Sequence, residues 1–126
     1  MRIIRRHKAV EGFTLTEIMI VMAIIGLLAA LVVPRAMQAR ERACIETIRS
    51  NLRVIEDTKQ QWAFAQRAGA EVVPPAEELA LFLKGERLPN PVAGEVYNIN
   101  PVGVVATATL ASALVNLPAG TELSLE

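Results

Sequence analysis

From Phe13 to Val33 the chain reads FTLTEIMIVMAIIGLLAALVV, an apolar run of 21 residues in which Glu17 is the only charge. As an α-helix this run spans roughly 31 Å at 1.5 Å per residue, about the hydrocarbon thickness of a bilayer. A secretory signal peptide also begins with basic residues, but its apolar core is shorter and ends at a small-x-small cleavage site. The stretch VVPRAMQAR supplies no good site of that kind. A buried helix of a soluble domain rarely shows so long an uninterrupted run in a chain of 126 residues. The run therefore predicts a transmembrane helix over residues 13–33. Glu17 is then out of place, because a carboxylate inside a bilayer costs about 2.5–3.5 kcal/mol on insertion scales and is usually paired.

Charge does not orient this helix. Arg2, Arg5, Arg6 and Lys8 precede it, which favours a cytoplasmic start, but Arg35, Arg40 and Arg42 follow it closely and nearly balance them. The whole chain holds 13 basic and 13 acidic side chains, so no concentrated basic surface argues for nucleic acid. Cys44 is the only cysteine and closes no internal disulfide. It sits near an apolar stripe and reads as a small, partly buried packing residue. The only histidine, His7, lies in the basic leader, which leaves the body without a histidine for zinc or for acid–base catalysis.

Beyond the run, Pro34 lacks a backbone N–H and crowds the carbonyl of Ala30, so a kink or loosening of the helix is expected there. Residues 34–68 then read as an amphipathic continuation. Ile45, Ile48, Leu52, Ile55 and Trp62 recur at helical spacing, with Lys59 interrupting the seam. Arg42–Glu46, Arg53–Glu56 and Arg53–Asp57 stand at supporting intervals, and Gly69 offers a C-terminal stop. This stripe is expected to pack on the chain's own head, residues 69–126.

In that head a short helix is expected from about Pro75 to Lys84, with Glu77 and Glu78 at its positive end and Gly85 closing it. EVYNIN alternates as a strand, PVG can turn, VVATATL can return as a second strand, and LPAGTELSLE can add a short third. A head of this size buries little core alone and must lean on the long helix. The expected class is α+β: a long N-terminal helix with a membrane half and an amphipathic half, then one short helix and a small antiparallel sheet. No phosphate loop and no nucleophile–base pair is present, and adjacent Glu77 and Glu78 point about 100° apart on a helix. With Asp57 as the only aspartate, a calcium site is not expected either. No catalytic residue, metal site or cofactor is assigned, and the chain is not expected to be an enzyme.

The junction is more specific than any of these features. A short basic leader ends in Gly12, followed by Phe13, Thr14, Leu15, Glu17 and the apolar run, with Pro34 the twenty-second residue from Phe13. This arrangement resembles the type IV pilins and the pseudopilins of type II secretion systems. The resemblance implies a leader over 1–12 that is cut after Gly12 by a prepilin peptidase on the cytoplasmic side, followed by N-methylation of Phe13. It thereby implies a single-pass protein of the bacterial inner membrane, its head in the periplasm or on the cell surface. It also implies polymerisation with its own copies and other pilin-like subunits into a type IV pilus or type II secretion pseudopilus. Glu17 is then the assembly residue, meeting the new α-amine of Phe13 in a neighbouring subunit or, at i and i+4, in its own helix. Many pilins close a loop with two cysteines, but here Asn90 stands in LPNPVAG where the second would be expected. The alternative is an unprocessed, single-pass anchored protein whose head binds a periplasmic ligand or partner.

Overall fold

The computed structural model describes residues 12–125; the leader, up to Glu11, lies outside them. The elements in chain order are α1 (Leu15–Gln66), α2 (Ala76–Leu81), β1 (Val96–Asn98), β2 (Thr107–Thr109) and β3 (Glu122–Leu123). This is the α+β arrangement expected from the sequence. The chain divides into two compact units, one ending at Ala36 and the other running from Met37 to Glu126.

In the first unit the described part of the run is helical from Leu15, and its large apolar side chains are exposed, from Phe13 at 79% to Val33 at 54%. The helix is long and apolar enough to cross a membrane. Pro34 lies inside α1, which is assigned helical on both sides of it.

The second unit is built on the distal part of α1. Ile48, Leu52 and Ile55 are fully buried and form one core with Ala106, Ala108, Leu110 and Leu123. Ile45, the first residue of the predicted stripe, packs at the edge of that core. The sheet is antiparallel in the order β1-β2-β3, with Tyr97 opposite Ala108 and Ala108 opposite Leu123. Ala106, Ala108 and Leu110 alternate toward the helix because successive strand side chains point to opposite faces. On the other face the Asn98 amide donates to the hydroxyls of Thr107 and Thr109, while the Thr107 hydroxyl donates to Glu122.

Lys59 corrects the sequence reading. It does not interrupt the seam but belongs to it, with no exposed surface. Its Nζ donates to Glu56 Oε2 at 3.0 Å and to the Val104 carbonyl at 2.6 Å. The same Glu56 oxygen accepts the Ala106 amide at 3.0 Å. Glu56 therefore serves Lys59 rather than Arg53, and Glu46 pairs with Arg49 rather than Arg42. For Glu56 the reason is that a buried ammonium has far more to gain from a carboxylate than a solvated guanidinium has; the side chains of Glu46 and Arg49 are both solvent-accessible and form an ordinary surface pair.

The stop of α1 also differs from expectation. Arg67, not Gly69, takes the left-handed conformation (φ 51°), and the Ala68 amide reaches back to the Ala63 carbonyl at 3.0 Å, the long bond of a Schellman closure. The second helix stops at Leu81, earlier than Lys84, because the amides of Phe82 and Leu83 already bond three residues back. Gly85 and Glu86 then follow with positive φ. Trp62 Nε1 donates to Glu78 Oε2 at 2.7 Å, so Glu78 ties α2 to α1 as well as sitting in the first turn of α2.

Between β1 and β2 the predicted turn is present, with the Val104 amide bonded to the Pro101 carbonyl. Gly103 is required there. A Cβ at this position would lie 2.9 Å from that of Ala70, whose carbonyl accepts the Gly103 amide at 2.8 Å. Val102 N–H bonds the Val72 carbonyl, so residues 70–72 and the Lys59 ammonium hold this connection together.

Removing Lys59 leaves Glu56 without its cation and the Val104 carbonyl without its donor. Lys59→Ala is expected to destabilise the folded head by about 3 kcal/mol, the lower end of the cost of breaking a buried pair, because Glu56 retains some exposure. Urea unfolding followed by the near-ultraviolet signal of Trp62 measures this. A loss under ~0.5 kcal/mol, typical of a surface change, would show that the tie is dispensable.

Candidate functional site

The junction predicted from the sequence lies at the start of α1. Gly12, Phe13 and Thr14 precede the helix in irregular, exposed backbone, and no neighbouring atom lies within 4 Å of where a Gly12 side chain would begin. The Thr14 carbonyl accepts the first helical bond, from the Ile18 amide at 3.3 Å, and the Thr14 hydroxyl accepts the Glu17 amide at 3.2 Å. Thr14 is therefore the N-cap and Glu17 the third helical residue. Thr-Leu-Thr-Glu over 14–17 has the spacing of a capping box, in which the acid at the third position faces back toward the cap.

This geometry corrects one expectation. Phe13 and Glu17 are four residues apart but not on one helix, because Thr14 ends the helical ladder on its N-terminal side. Phe13 instead borders a shallow apolar groove with Ile18, Met19 and Met22. Phe13 and Ile18 thus hold the positions of a hydrophobic staple, one residue before the cap and four after it. The sequence signal for this cap is a threonine three residues before a glutamate and an apolar run, the same residues that carry the family resemblance.

The comparisons with known proteins bear on these residues. A family model described as the prokaryotic N-terminal methylation motif matches residues 7–33, which include Gly12, Phe13, Thr14 and Glu17. The chain carries a prokaryotic N-terminal methylation motif. It is 37% identical over 67 residues to the type IV major pilin protein PilA of Myxococcus xanthus, covering 53% of this chain and 30% of the pilin. It is 46% identical over 45 residues to the type II secretion system core protein G of Pseudomonas aeruginosa, covering 36% of this chain and 32% of that protein. The core protein G of Klebsiella pneumoniae is 49% identical over 46 residues, 36% of this chain and 33% of that protein. The chain thus spans about a third of the length of the curated relatives it matches. No solved structure matches it.

Behind the methylation motif, the second unit contains a second buried charge besides Lys59. Glu95 is 1% exposed and accepts the amides of Val92 and Ala93 and the hydroxyl of Tyr97, the last at 2.5 Å. Asn51 Nδ2 of α1 in turn donates to the Tyr97 hydroxyl oxygen at 2.8 Å. Burial pushes the Glu95 carboxyl up, but the bonds from Tyr97, Ala93 and Val92 outweigh it and hold the group below its ordinary value. Burial, the bond to Glu95 and the carboxylate's charge push Tyr97 up to about 12, against a smaller opposing effect from Asn51. The chain thereby fastens the proline-rich connector to the helix through a carboxylate, a phenol and an amide. Cys44 is half-buried and unpaired, beside Val92 and Ala93 on one shallow groove with Met37, Arg40, Glu41 and Leu114. Glu41 Oε2 accepts the Val115 amide at 2.8 Å, where Val115 holds a positive φ of 55° that a β-branched residue seldom adopts.

Tyr97 is the only tyrosine, so its titration can be followed directly. Its proton is held more tightly in the folded chain than in the unfolded one. The associated stability is therefore complete below about pH 10 and is lost as pH rises toward about 12. Tyrosinate absorbance is expected to rise with a midpoint near 12 in the folded protein and near 10 in urea. A folded midpoint near 10 would contradict the buried pairing with Glu95. Tyr97→Phe should remove the decline in stability across that interval.

Proposed function

We propose that this chain is a filament subunit that is made as a prepilin, cut between Gly12 and Phe13, methylated on Phe13 and polymerised through its apolar helix. The observation that carries this reading is the match of residues 7–33 to the methylation motif, on a segment whose helix starts just after the proposed cut. Glycine before the cut lets backbone lie close to a protease's catalytic groups, and the exposed, irregular chain around Gly12 and Phe13 suits access by a peptidase. Residues 1–12 are the leader, 13–33 the membrane span, 34–68 the amphipathic continuation and 69–126 the head. Pro34, the first residue after the span, is the point at which α1 can flex.

Before cleavage the nitrogen of Phe13 is an amide. After it, the nitrogen is a cationic amine close to the start of α1, and Glu17 gains a partner of opposite sign. On this reading the partner of Glu17 in the filament is the amine of a neighbouring subunit. Glu17 then admits those subunits whose leader has been removed. The membrane is the bacterial inner membrane, the head faces the periplasm, and the partners are a prepilin peptidase, further copies of the chain and other pilin-like subunits. The role is structural rather than catalytic. The relatives include both a pilin and type II secretion core proteins, so a surface pilus and a secretion pseudopilus are the two forms such a filament takes.

Intact-mass analysis of the membrane-extracted protein from cells holding the peptidase is expected to show a chain that begins at methylated Phe13. A mass retaining the leader would instead identify an unprocessed anchored protein. Glu17→Ala should still be cut and methylated yet be lost from sheared filament fractions by at least about tenfold, the effect of ~1.4 kcal/mol of lost pairing. An undiminished filament yield would remove Glu17 from assembly.

A further inference from the structure

Arg35, Arg40 and Arg42 follow the apolar run on the same helix, α1, within nine residues of Val33, a rise of about 14 Å at most. All three are exposed. Glu41 stands between two of them and is their obvious counter-charge, but its carboxylate is turned to the Val115 amide. The next acid along, Glu46, pairs with Arg49. Among the described residues no carboxylate lies within ion-pair distance of Arg35, Arg40 or Arg42. Two residues apart on one helix, Arg40 and Arg42 project about 200° from each other, on opposite sides. A pair arranged that way does not make a single docking face for another protein. It suits charge that surrounds the helix, as a layer of headgroups does.

We propose that Arg35, Arg40 and Arg42 form a collar that binds the phosphates of anionic phospholipids where α1 leaves the bilayer. The proposal rests on the reading of residues 13–33 as a membrane span. Guanidinium groups match phosphate oxygens with paired hydrogen bonds, and long arginine stems reach along a helix toward the interface. Each basic residue near an anionic surface contributes roughly fivefold in lipid affinity at low salt, and the effect fades as the Debye length shortens. The collar fixes the depth at which the subunit rests and opposes its withdrawal from the membrane. It also accounts for basic residues on the side of the span that a charge-based orientation rule leaves unfavoured.

The test is native mass spectrometry of the full chain released from micelles holding equal amounts of phosphatidylglycerol and phosphatidylcholine. Phosphatidylglycerol adducts are expected to exceed phosphatidylcholine adducts by about fivefold or more at low salt. The combined Arg35→Gln, Arg40→Gln, Arg42→Gln variant should bind the two lipids about equally, and the corresponding triple lysine variant should keep the preference. Equal adducts in the parent chain, or an undiminished preference in the glutamine variant, would overturn the proposal. Flotation with phosphatidylcholine vesicles separates the two levels. A chain that does not float refutes the membrane span itself; one that floats without lipid preference refutes only the collar. If the glutamine variant instead loses cross-linked oligomers in phosphatidylcholine membranes while its lipid preference stays intact, the arginines serve contact between subunits and the collar is wrong.

Discussion

The head has one layer of sheet, and the layer that covers it is the distal part of α1. Strands of three, three and two residues cannot bury a core between themselves. Ala106, Ala108 and Leu110 are small or single contributors on β2 and its flanks, so the bulk must come from Ile48, Leu52 and Ile55 across the interface. This asymmetry makes the head depend on α1 for its stability and ties its folding to the formation of that helix. The same dependence explains why the seam tolerates a lysine. At Lys59 the sheet edge has already ended, and what faces the helix is the irregular connection before β2, whose Val104 carbonyl and Ala106 amide need partners.

Two buried charges solve that kind of problem in opposite ways. Lys59 and Glu56 form a pair that caps loose backbone groups, the ammonium taking a carbonyl and the carboxylate taking an amide. Glu95 has no cation among its hydrogen-bond partners and is held by two amides and a phenol. Both charges stand where irregular segments meet α1, at residues 101–106 and 89–95. Long connectors of this kind carry backbone groups that no strand satisfies, and a buried side chain with a fixed charge satisfies several at once. The polar cores of the head are therefore a consequence of its short strands.

Legibility in the sequence followed the same division. The helical stripe and the alternating strands were readable because each expresses a period of 3.6 or 2 that burial imposes directly, and the apolar run was readable from its length and near-absence of charge. The misses fall where a local rule yields to a tertiary partner. Lys59 looked like an interruption because one of its two acceptors, the Val104 carbonyl, lies 45 residues away. Gly69 looked like the stop of α1, but Arg67 took the left-handed turn and the Ala68–Ala63 bond closed the helix two residues earlier than a left-handed Gly69 would. Glu95 read as one residue of an alternating strand, and nothing local marked it as the anchor of the connector. At the junction the residue identities were fully legible, whereas the helix boundary within them was not, because the same Thr-Leu-Thr-Glu serves both as a family signature and as a cap.

That double use bears on how a carboxylate can be placed in an apolar span at all. At the third position of α1, Glu17 lies in the first turn, where unpaired amides give the helix its positive end. Thr14 takes one of those amides and leaves others near the carboxylate. The location thus lowers the cost of the charge before any second subunit arrives, although it does not neutralise it. On the proposed reading, cleavage adds a full positive charge close by without moving the cap, since Thr14 remains the residue on which the helix begins. A carboxylate deeper in the run would lack these amides, and one before Thr14 would lie outside the helix. The third position is therefore where an acid can be tolerated in the precursor and still present itself for pairing in the filament.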